Sequence, residues 1–208
     1  HYYFMALNAE EKIKDKSGIA GTYLNIANVY YYLEKFDKAI EYMTNSLGLY
    51  RELNDSLGIL RCYTNIGTAY SDIGILENAI TYSQEALTLS RQMNNKNLEA
   101  ANLNNIGKIY FNRVEFEKSI DFYNRALEIE REIGNTWSEA NTLRNVGVVF
   151  IETVEYEKAE IYLTRALELA ERIQARNLLL EIYFDLFKLS EKSDNYKAAL
   201  TYHKLHTN

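Results

Sequence analysis

Asparagine recurs at a fixed interval along this chain of 208 residues. Asn25, Asn65, Asn105 and Asn145 follow one another at steps of 40 residues, and Asp185 continues the series. A side-chain amide offers two donor hydrogens and two acceptor lone pairs, so a row of amides can hold the backbone of an extended peptide. The alternative interpretation is that these amides bond only between neighbouring helices of their own chain.

These asparagines fall on the helix face opposite the apolar side chains, when successive residues are placed at about 100°. Basic side chains on and beside that face could bind acidic groups of a ligand, and a merely solvated surface is the competing interpretation. Two aromatic rings there could supply apolar anchors. The candidate binding residues are Asn25, Asn28, Tyr31, Arg61, Asn65, Asn104, Asn105, Lys108, Phe111, Asn141, Arg144 and Asn145.

Residue types that could support catalysis or metal binding are few. His203 and His206 are three residues apart, a spacing that could hold a metal, but no cysteine or acidic cluster completes a site, and the third histidine is His1. Cys62 has no histidine partner, which predicts a buried structural thiol. Trp137, at a linker, is predicted to pack. Phosphate-binding loops, dinucleotide fingerprints and nucleophile elbows do not occur, so we expect no enzyme activity, no cofactor and no metal.

The composition predicts a helical protein. The chain contains no proline and 9 glycines, and these two residues usually mark turns and sheet corners. Its net charge is −6, from 23 basic and 29 acidic residues without a basic cluster, which argues against a nucleic-acid partner. No apolar stretch approaches the roughly 18 residues of a membrane helix. We expect a cytoplasmic module of a longer protein, because the first and last predicted repeats are incomplete.

Five segments of similar sequence also lie 40 residues apart. Residues 36–40 return at 76–80, 116–120, 156–160 and 196–200. Within one unit, apolar residues recur three, four and seven positions apart, as on one face of a helix. This pattern therefore predicts that each unit forms two helices joined by a short turn.

The third unit shows this organisation most clearly. Its first helix is expected from about residue 100 to 112 and its second from about 116 to 133. Small residues such as Gly107 and Gly147 are predicted to let the two helices of a pair approach closely. The predicted single domain covers 1–208, with a second helix of a truncated repeat at 1–18, full repeats at 20–58, 60–98, 100–138 and 140–178, and an atypical, truncated repeat at 180–208.

The recurring pattern is an aromatic residue or Leu, then Ile-Gly and Tyr, followed by an aromatic residue, Ala-Ile, Tyr and Ala-Leu. It resembles the tetratricopeptide repeat (TPR) family over essentially the whole chain, in the 40-residue variety found in bacterial signalling proteins, kinesin light chain and spindle-orientation adaptors. The resemblance implies an all-α fold, a right-handed α-solenoid of antiparallel helix pairs with about five and a half repeats. It also implies a concave groove, lined by the first helices, that binds a protein or peptide partner.

One specific ligand class of that family is not expected here. Some family members clamp a C-terminal carboxylate with Lys and Asn from two repeats and two bases from a third. The corresponding residues are Asn104 and Lys108, then Asn145, then Glu181 and Asp185, so two acids stand where two bases are required.

Two functional hypotheses remain. The first is an interaction scaffold that binds a peptide or partner segment in the groove. The alternative is a sensory or regulatory region that controls a fused kinase, cyclase or transcription output in a bacterial signalling protein. The two are compatible, and the fold alone does not separate them.

Overall fold

The computed structural model describes residues 2–207, and His1 and Asn208 lie outside the described residues. The described chain is entirely helical, with 11 helices, which confirms the all-α prediction. The helices are α1 Tyr2–Ile13, α2 Lys16–Tyr32, α3 Phe36–Glu52, α4 Ser56–Asp72, α5 Leu76–Gln92, α6 Lys96–Asn112, α7 Phe116–Glu132, α8 Thr136–Glu152, α9 Tyr156–Arg172, α10 Arg176–Lys192 and α11 Tyr196–Thr207. Between residues 2 and 207, no helix has the length and apolar character needed to cross a membrane.

The connecting turns share one backbone conformation and recur every 20 residues. Each turn contains a residue with positive φ, for example Glu34 at 56° and Val114 at 62°. In the turn after α2, the amides of Glu34 and Lys35 donate to the carbonyls of Tyr31 and Tyr30, both at 2.9 Å. These two bonds satisfy carbonyls that the helix end would otherwise leave unpaired. A chain without proline can therefore still form a series of separate helices.

The first helices begin four residues earlier than the sequence pattern predicted. The helix expected from about residue 100 is α6, and it begins at Lys96. The side chains of Asp15, Asp55 and Asn135 accept backbone N–H bonds from the residues three positions later, at 3.0, 3.0 and 3.2 Å. Such N-caps stabilise a helix start, so in α2, α4 and α8 residues that looked like linkers form the first turn.

Trp137 illustrates the consequence of this shift. It lies in the first turn of α8 and is 54% exposed, so the prediction that it packs was wrong. Leu57 occupies the same place in α4 and is also exposed. The second residue of these first helices therefore lies before the part of the helix that packs on the following second helix.

The first compact unit extends to Asn95 and contains α1 to α5. In it, α2 packs against α3 and α4 against α5. Ala27, Met43 and Ile66 are almost completely buried in its core, and the rings of several tyrosines pack around them.

The second compact unit begins at Lys96 and contains α6 to α11, again packed as pairs. A Cβ atom on Gly107 would lie 2.6 Å from the ring of Tyr123, and one on Gly147 would lie 2.7 Å from Leu163. These distances are shorter than carbon atoms tolerate, so the predicted close approach of paired helices is confirmed.

Candidate functional site

The exposed side of α2 and α4 carries a cavity in the first unit, with a volume of about 210 Å³. Asn28 from α2 and Asn65 from α4 line it, together with Thr68 and the buried side chain of Met43. Within residues 2–207, the side-chain amides of Asn28 and Asn65 have no hydrogen-bond partner. Each amide therefore keeps its donors and acceptor for a group that enters the cavity. We refer to this side of α2 and α4 as the first-unit face.

Both aromatic candidates pack on the residue that begins the next helix. Tyr31 meets Phe36 edge to face at 5.5 Å between ring centroids, and Phe111 meets Phe116 at 5.8 Å. The hydroxyl of Tyr31, which also lines the cavity, donates a hydrogen bond to the carboxylate of Asp72. Burial, followed by this bond and the charge of Asp72, raises the pKa of Tyr31 to about 12. The phenol therefore stays protonated, with its proton directed at α4.

On the corresponding side of α6, α8 and α10, which we call the second-unit face, two of the candidate amides are paired. The Nδ2 of Asn145 donates to the Oδ1 of Asn104 at 3.0 Å. The Nδ2 of Asn104 in turn donates to the hydroxyl of Thr142. Here the structure favours, for these two asparagines, the interpretation in which amides join neighbouring first helices.

The same chain of hydrogen bonds continues into the core. Thr142 donates through Oγ1 to the Oε1 of Glu130 at 3.0 Å. Glu130 is 1% exposed, and its Oε2 is buried without a partner among the described residues. Burial raises the pKa of Glu130 to about 7, an effect that Glu139 reinforces and that the bond from Thr142 and the charge of Arg131 oppose. The carboxyl group therefore titrates near neutral pH.

Arg144 is committed to its own chain. Its Nε donates to Asp185 at 2.5 Å and its Nη1 donates to Glu181 at 2.7 Å. These are the two acids that stand where a carboxylate clamp would need bases. Asp185 is almost fully buried, and its desolvation raises the pKa, an effect that Arg144 opposes. The guanidinium therefore serves first to keep a buried carboxylate charged.

The remaining candidates lie on the same helices without joining either cluster. Asn25 and Arg61 are exposed on α2 and α4, outside the cavity lining. Asn105 and Asn141 are half-buried on α6 and α8, and Lys108 is exposed on α6. Of the twelve candidates, the structure thus brings together Asn28, Tyr31 and Asn65 in the first unit, and Asn104 and Asn145 in the second, while Arg144 bonds to α10.

Sequence reasoning missed the Glu130–Thr142 pair. A signal for it exists, because Glu10 and Thr22 have the same spacing and lie 120 residues earlier. In the first unit Thr22 donates to Glu10 at 3.0 Å, as Thr142 does to Glu130. A Glu twelve residues before a Thr, at matching repeat positions, predicts such a contact between a second helix and the next first helix.

The remaining reactive residue types pack within the structure. Cys62 is fully buried, which confirms the predicted buried thiol, and burial raises its pKa to about 11. The Nδ1 of His206 lies 2.9 Å from the carbonyl of Leu180, and the ring of His203 packs on Phe187. Among residues 2–207 no group of three or more His, Cys, Asp or Glu side chains is arranged to hold a metal ion.

Consecutive antiparallel helix pairs at a 40-residue period, with small residues where the paired helices meet, define a helical repeat protein. The sequence profile described as tetratricopeptide repeat matches residues 18–92 and 98–172. The chain belongs to the tetratricopeptide repeat family. Among curated proteins, none matches it.

Solved structures share the fold. BtubC (BKLC) from P. vanneervenii has a TM-score of 0.83 and 17% identity, over 99% of this chain and 87% of its own. Aspartyl phosphate phosphatase F from Bacillus subtilis has a TM-score of 0.83 and 20% identity, over 96% of this chain and 53% of its own. A Rap protein complexed with Competence and Sporulation Factor has a TM-score of 0.75 and 17% identity, over 99% and 68%. At these identities the likeness shows the fold alone, and the chain spans about half of the phosphatase.

Proposed function

We propose that this protein is an interaction module that binds an extended peptide segment of a partner on its first helices, chiefly on the first-unit face. The observation that carries the proposal is the pair of unbonded amides, Asn28 and Asn65, at one cavity of about 210 Å³. A polar side chain that has neither an internal partner nor a packing role is available for a ligand.

The chemistry of the first-unit face suits a peptide backbone. A side-chain amide presents a donor and an acceptor side by side, as do the N–H and C=O of one residue in an extended chain, so Asn28 and Asn65 can bond a backbone whatever its side chains are. Tyr31 and Tyr32 line the same cavity and offer ring faces to an apolar side chain of the peptide. Arg61, exposed on α4 without an ion pair among the described residues, can attract an acidic residue beside it.

The second-unit face supports the proposal less strongly. Asn104 and Asn145 use bonding capacity on each other, and Arg144 uses its charge on Asp185 and Glu181. A ligand there would have to replace bonds that already exist. Asn105 and Asn141, half-buried and without a hydrogen bond in the described chain, are its remaining amide contacts.

The sensory alternative is a second proposal, and it is compatible with the first. One similar structure is a Rap protein complexed with Competence and Sporulation Factor, and another is a Signal Transduction ATPase with a tetratricopeptide repeat sensor from Pyrococcus horikoshii. This chain spans 30% of that ATPase. A peptide bound to the first-unit face would then regulate a further domain of the same protein.

The test begins with selection from a displayed library of random peptides of about 12 residues, long enough to follow two neighbouring first helices. The selected peptide is then titrated against the double variant Asn28→Ala/Asn65→Ala. We expect its Kd to rise at least about tenfold, as loss of two ligand bonds implies, while the melting temperature stays within about 2 °C.

The matched control is Asn45→Ala/Asn78→Ala, in which two exposed asparagines of α3 and α5 lose the same atoms. Its Kd should equal that of the unmodified protein. Failure to select any peptide, or equal affinity for both double variants, contradicts the proposal for this face.

A further inference from the structure

An aromatic pair recurs in four repeats, where a ring near the end of a first helix packs on a ring of the following second helix. In the third repeat, for example, Tyr110 stacks on Phe122 at 5.3 Å between centroids. In three of these repeats a lysine of the second helix also lies over the first ring. These pairs and lysines are Tyr30–Tyr42 with Lys38, Tyr70–Tyr82 without a lysine, Tyr110–Phe122 with Lys118, and Phe150–Tyr162 with Lys158.

The fifth repeat lacks both parts of this arrangement. Ser190 stands where the other first helices have Tyr or Phe, and Ala198 stands where three second helices have the lysine. A third departure lies in the second helix of the preceding repeat. Glu160 in α9 occupies the position that is Ile40, Ile80 or Ile120 in the preceding repeats. A ring, a cation and an apolar side chain have thus been replaced by a hydroxymethyl, a methyl and a carboxylate.

All three departures line one cavity in the second unit, between the beginnings of α9 and α11 and the end of α10. Its volume is about 160 Å³, and the buried side chains of Leu186 and Leu189 form part of its wall. The absent ring of position 190 and the absent lysine of position 198 account for space that is filled elsewhere in the chain.

The remaining walls supply rings and negative charge. The ring of Tyr202 lies beside the space left by position 190. Its one ring neighbour among residues 2–207 is Tyr183, at a longer distance of 6.4 Å between centroids. Tyr156 forms another wall. The carboxylates of Glu157 and Glu160 are exposed at the cavity, and neither has an ion-pair partner among residues 2–207.

We propose that this cavity, between Tyr202, Ser190 and Glu160, binds a small aromatic cation, that is, a single ring carrying an ammonium or amidinium group. The ligand ring would stack on Tyr202, as the first-helix ring does in the other four repeats. Its cation would lie beside Glu160 and Glu157. The same two carboxylates would repel a negatively charged ligand. A cavity of about 150 Å³ accommodates benzene in a protein interior, so the size fits one ring.

This site is independent of the proposed peptide-binding face. It belongs to the second unit, and none of the candidate asparagines lines it. A failed peptide selection therefore does not contradict the proposal for this cavity. A failed test of this cavity likewise does not contradict the proposal for the first-unit face.

Benzylammonium is the probe, titrated into isotope-labelled protein and followed by NMR chemical shifts. We expect saturable shifts of residues around Ser190 and Tyr202, with a Kd of about 1 mM, as one aromatic stack and exposed ion pairing allow. Benzyl alcohol and benzoate, which keep the ring and change the charge, should bind at least about tenfold more weakly. No saturable shift at about 20 mM benzylammonium, or equal affinity for benzyl alcohol, overturns the proposal.

Two variants locate the site. Ser190→Phe restores the ring that Phe150 provides in α8, so it should abolish binding and raise the melting temperature by filling the cavity. Glu160→Gln keeps the shape and removes one charge, so it should weaken binding about fivefold. Glu117→Gln is the control, because it removes a carboxylate from the position equivalent to Glu157 two helices earlier. Unchanged affinity in Glu160→Gln overturns the charge assignment, even if Ser190→Phe does not fold.

Discussion

In the first unit, Asn28 and Asn65 leave their amides open around a cavity, whereas in the second unit Asn104 and Asn145 bond to each other. The exposed Arg61 of the first unit likewise contrasts with Arg144, which binds two carboxylates of α10. Asn65 and Asn145 occupy the same repeat position, which thus has two uses. Where a neighbouring first helix provides a complementary group, the side chain stabilises the stack, and where it does not, the side chain is available to a ligand.

A recurring residue type therefore does not identify a binding site by itself. The two uses differ because of one residue on the preceding first helix. This residue lies one position before the repeat equivalent of the asparagine. Position 104 is Asn, which accepts from Asn145, but the equivalent position 24 is Leu, which cannot bond to Asn65.

The largest effect is expected for Gly107→Leu, which should separate α6 from α7 and break the network that distinguishes the second unit. A side chain at this position has to displace the buried ring of Tyr123, so we expect a loss of about 3 kcal/mol or more in the free energy of unfolding. Urea denaturation measures it. Gly48→Leu is the control, because a Cβ there meets nothing within 4 Å, and equal stability of the two variants would refute the close approach.

The next effect distinguishes the two arginines. Arg144→Ala leaves the buried Asp185 without its counter-charge and should lower the free energy of unfolding by about 3 kcal/mol. Arg61→Ala removes an exposed side chain and should change it by less than about 0.5 kcal/mol. Thermal and urea unfolding of both variants measure these two losses in the free energy of unfolding. Similar losses would show that the two arginines contribute equally to stability.

Glu130 gives the second unit a pH dependence of its own. Its pKa rises from the ordinary 4.5 to about 7 because of burial, so the folded protein holds this proton more tightly than the unfolded chain. The resulting stabilisation is complete below about pH 4.5 and is lost as the pH rises through about 7. Between pH 5 and pH 8 the unmodified protein should therefore lose about 1–3 kcal/mol more of its free energy of unfolding than Glu130→Gln does.

Urea unfolding at both pH values measures this difference directly. Glu128→Gln, on the exposed side of the same helix, is the control and should show no such change. A pH-independent difference between Glu130→Gln and the unmodified protein would mean that the carboxylate is already charged at pH 5.

The smallest effect concerns the amides themselves. Asn145→Ala removes one bond to Asn104 and should lower the free energy of unfolding by about 1 kcal/mol. Asn65→Ala, which removes no bond within the described chain, should change it by less than about 0.5 kcal/mol. If Asn65→Ala were the more destabilising of the two, the contrast between the faces would be wrong.

Much of the fold was predictable because it depends on periodic features. The 40-residue interval, the small residues such as Gly107, and the second helix from residue 116 all follow from local pattern. The starts of the first helices did not, because Asp15, Asp55 and Asn135 are turn residues as readily as N-caps.

The candidate site was less predictable, for a physical reason. A helical wheel identifies the face on which Asn65 and Asn145 lie, but it contains no information about the adjacent first helix. The bond from Arg144 to Asp185 joins residues 41 positions apart. Such partners become visible only when repeats are compared position by position, as the Glu10–Thr22 and Glu130–Thr142 pairs show.

The uniform spacing of the turns has a consequence for how such a gene changes. Residues with positive φ occur at 14, 34, 54 and so on to 194, always 20 apart. Recombination that duplicates or deletes 40 codons, starting at any point in the unit, would leave every helix the same length and every turn intact. The array can therefore lengthen or shorten without a new junction having to be selected, whereas an insertion of a few residues within a helix would break the 20-residue spacing of the turns.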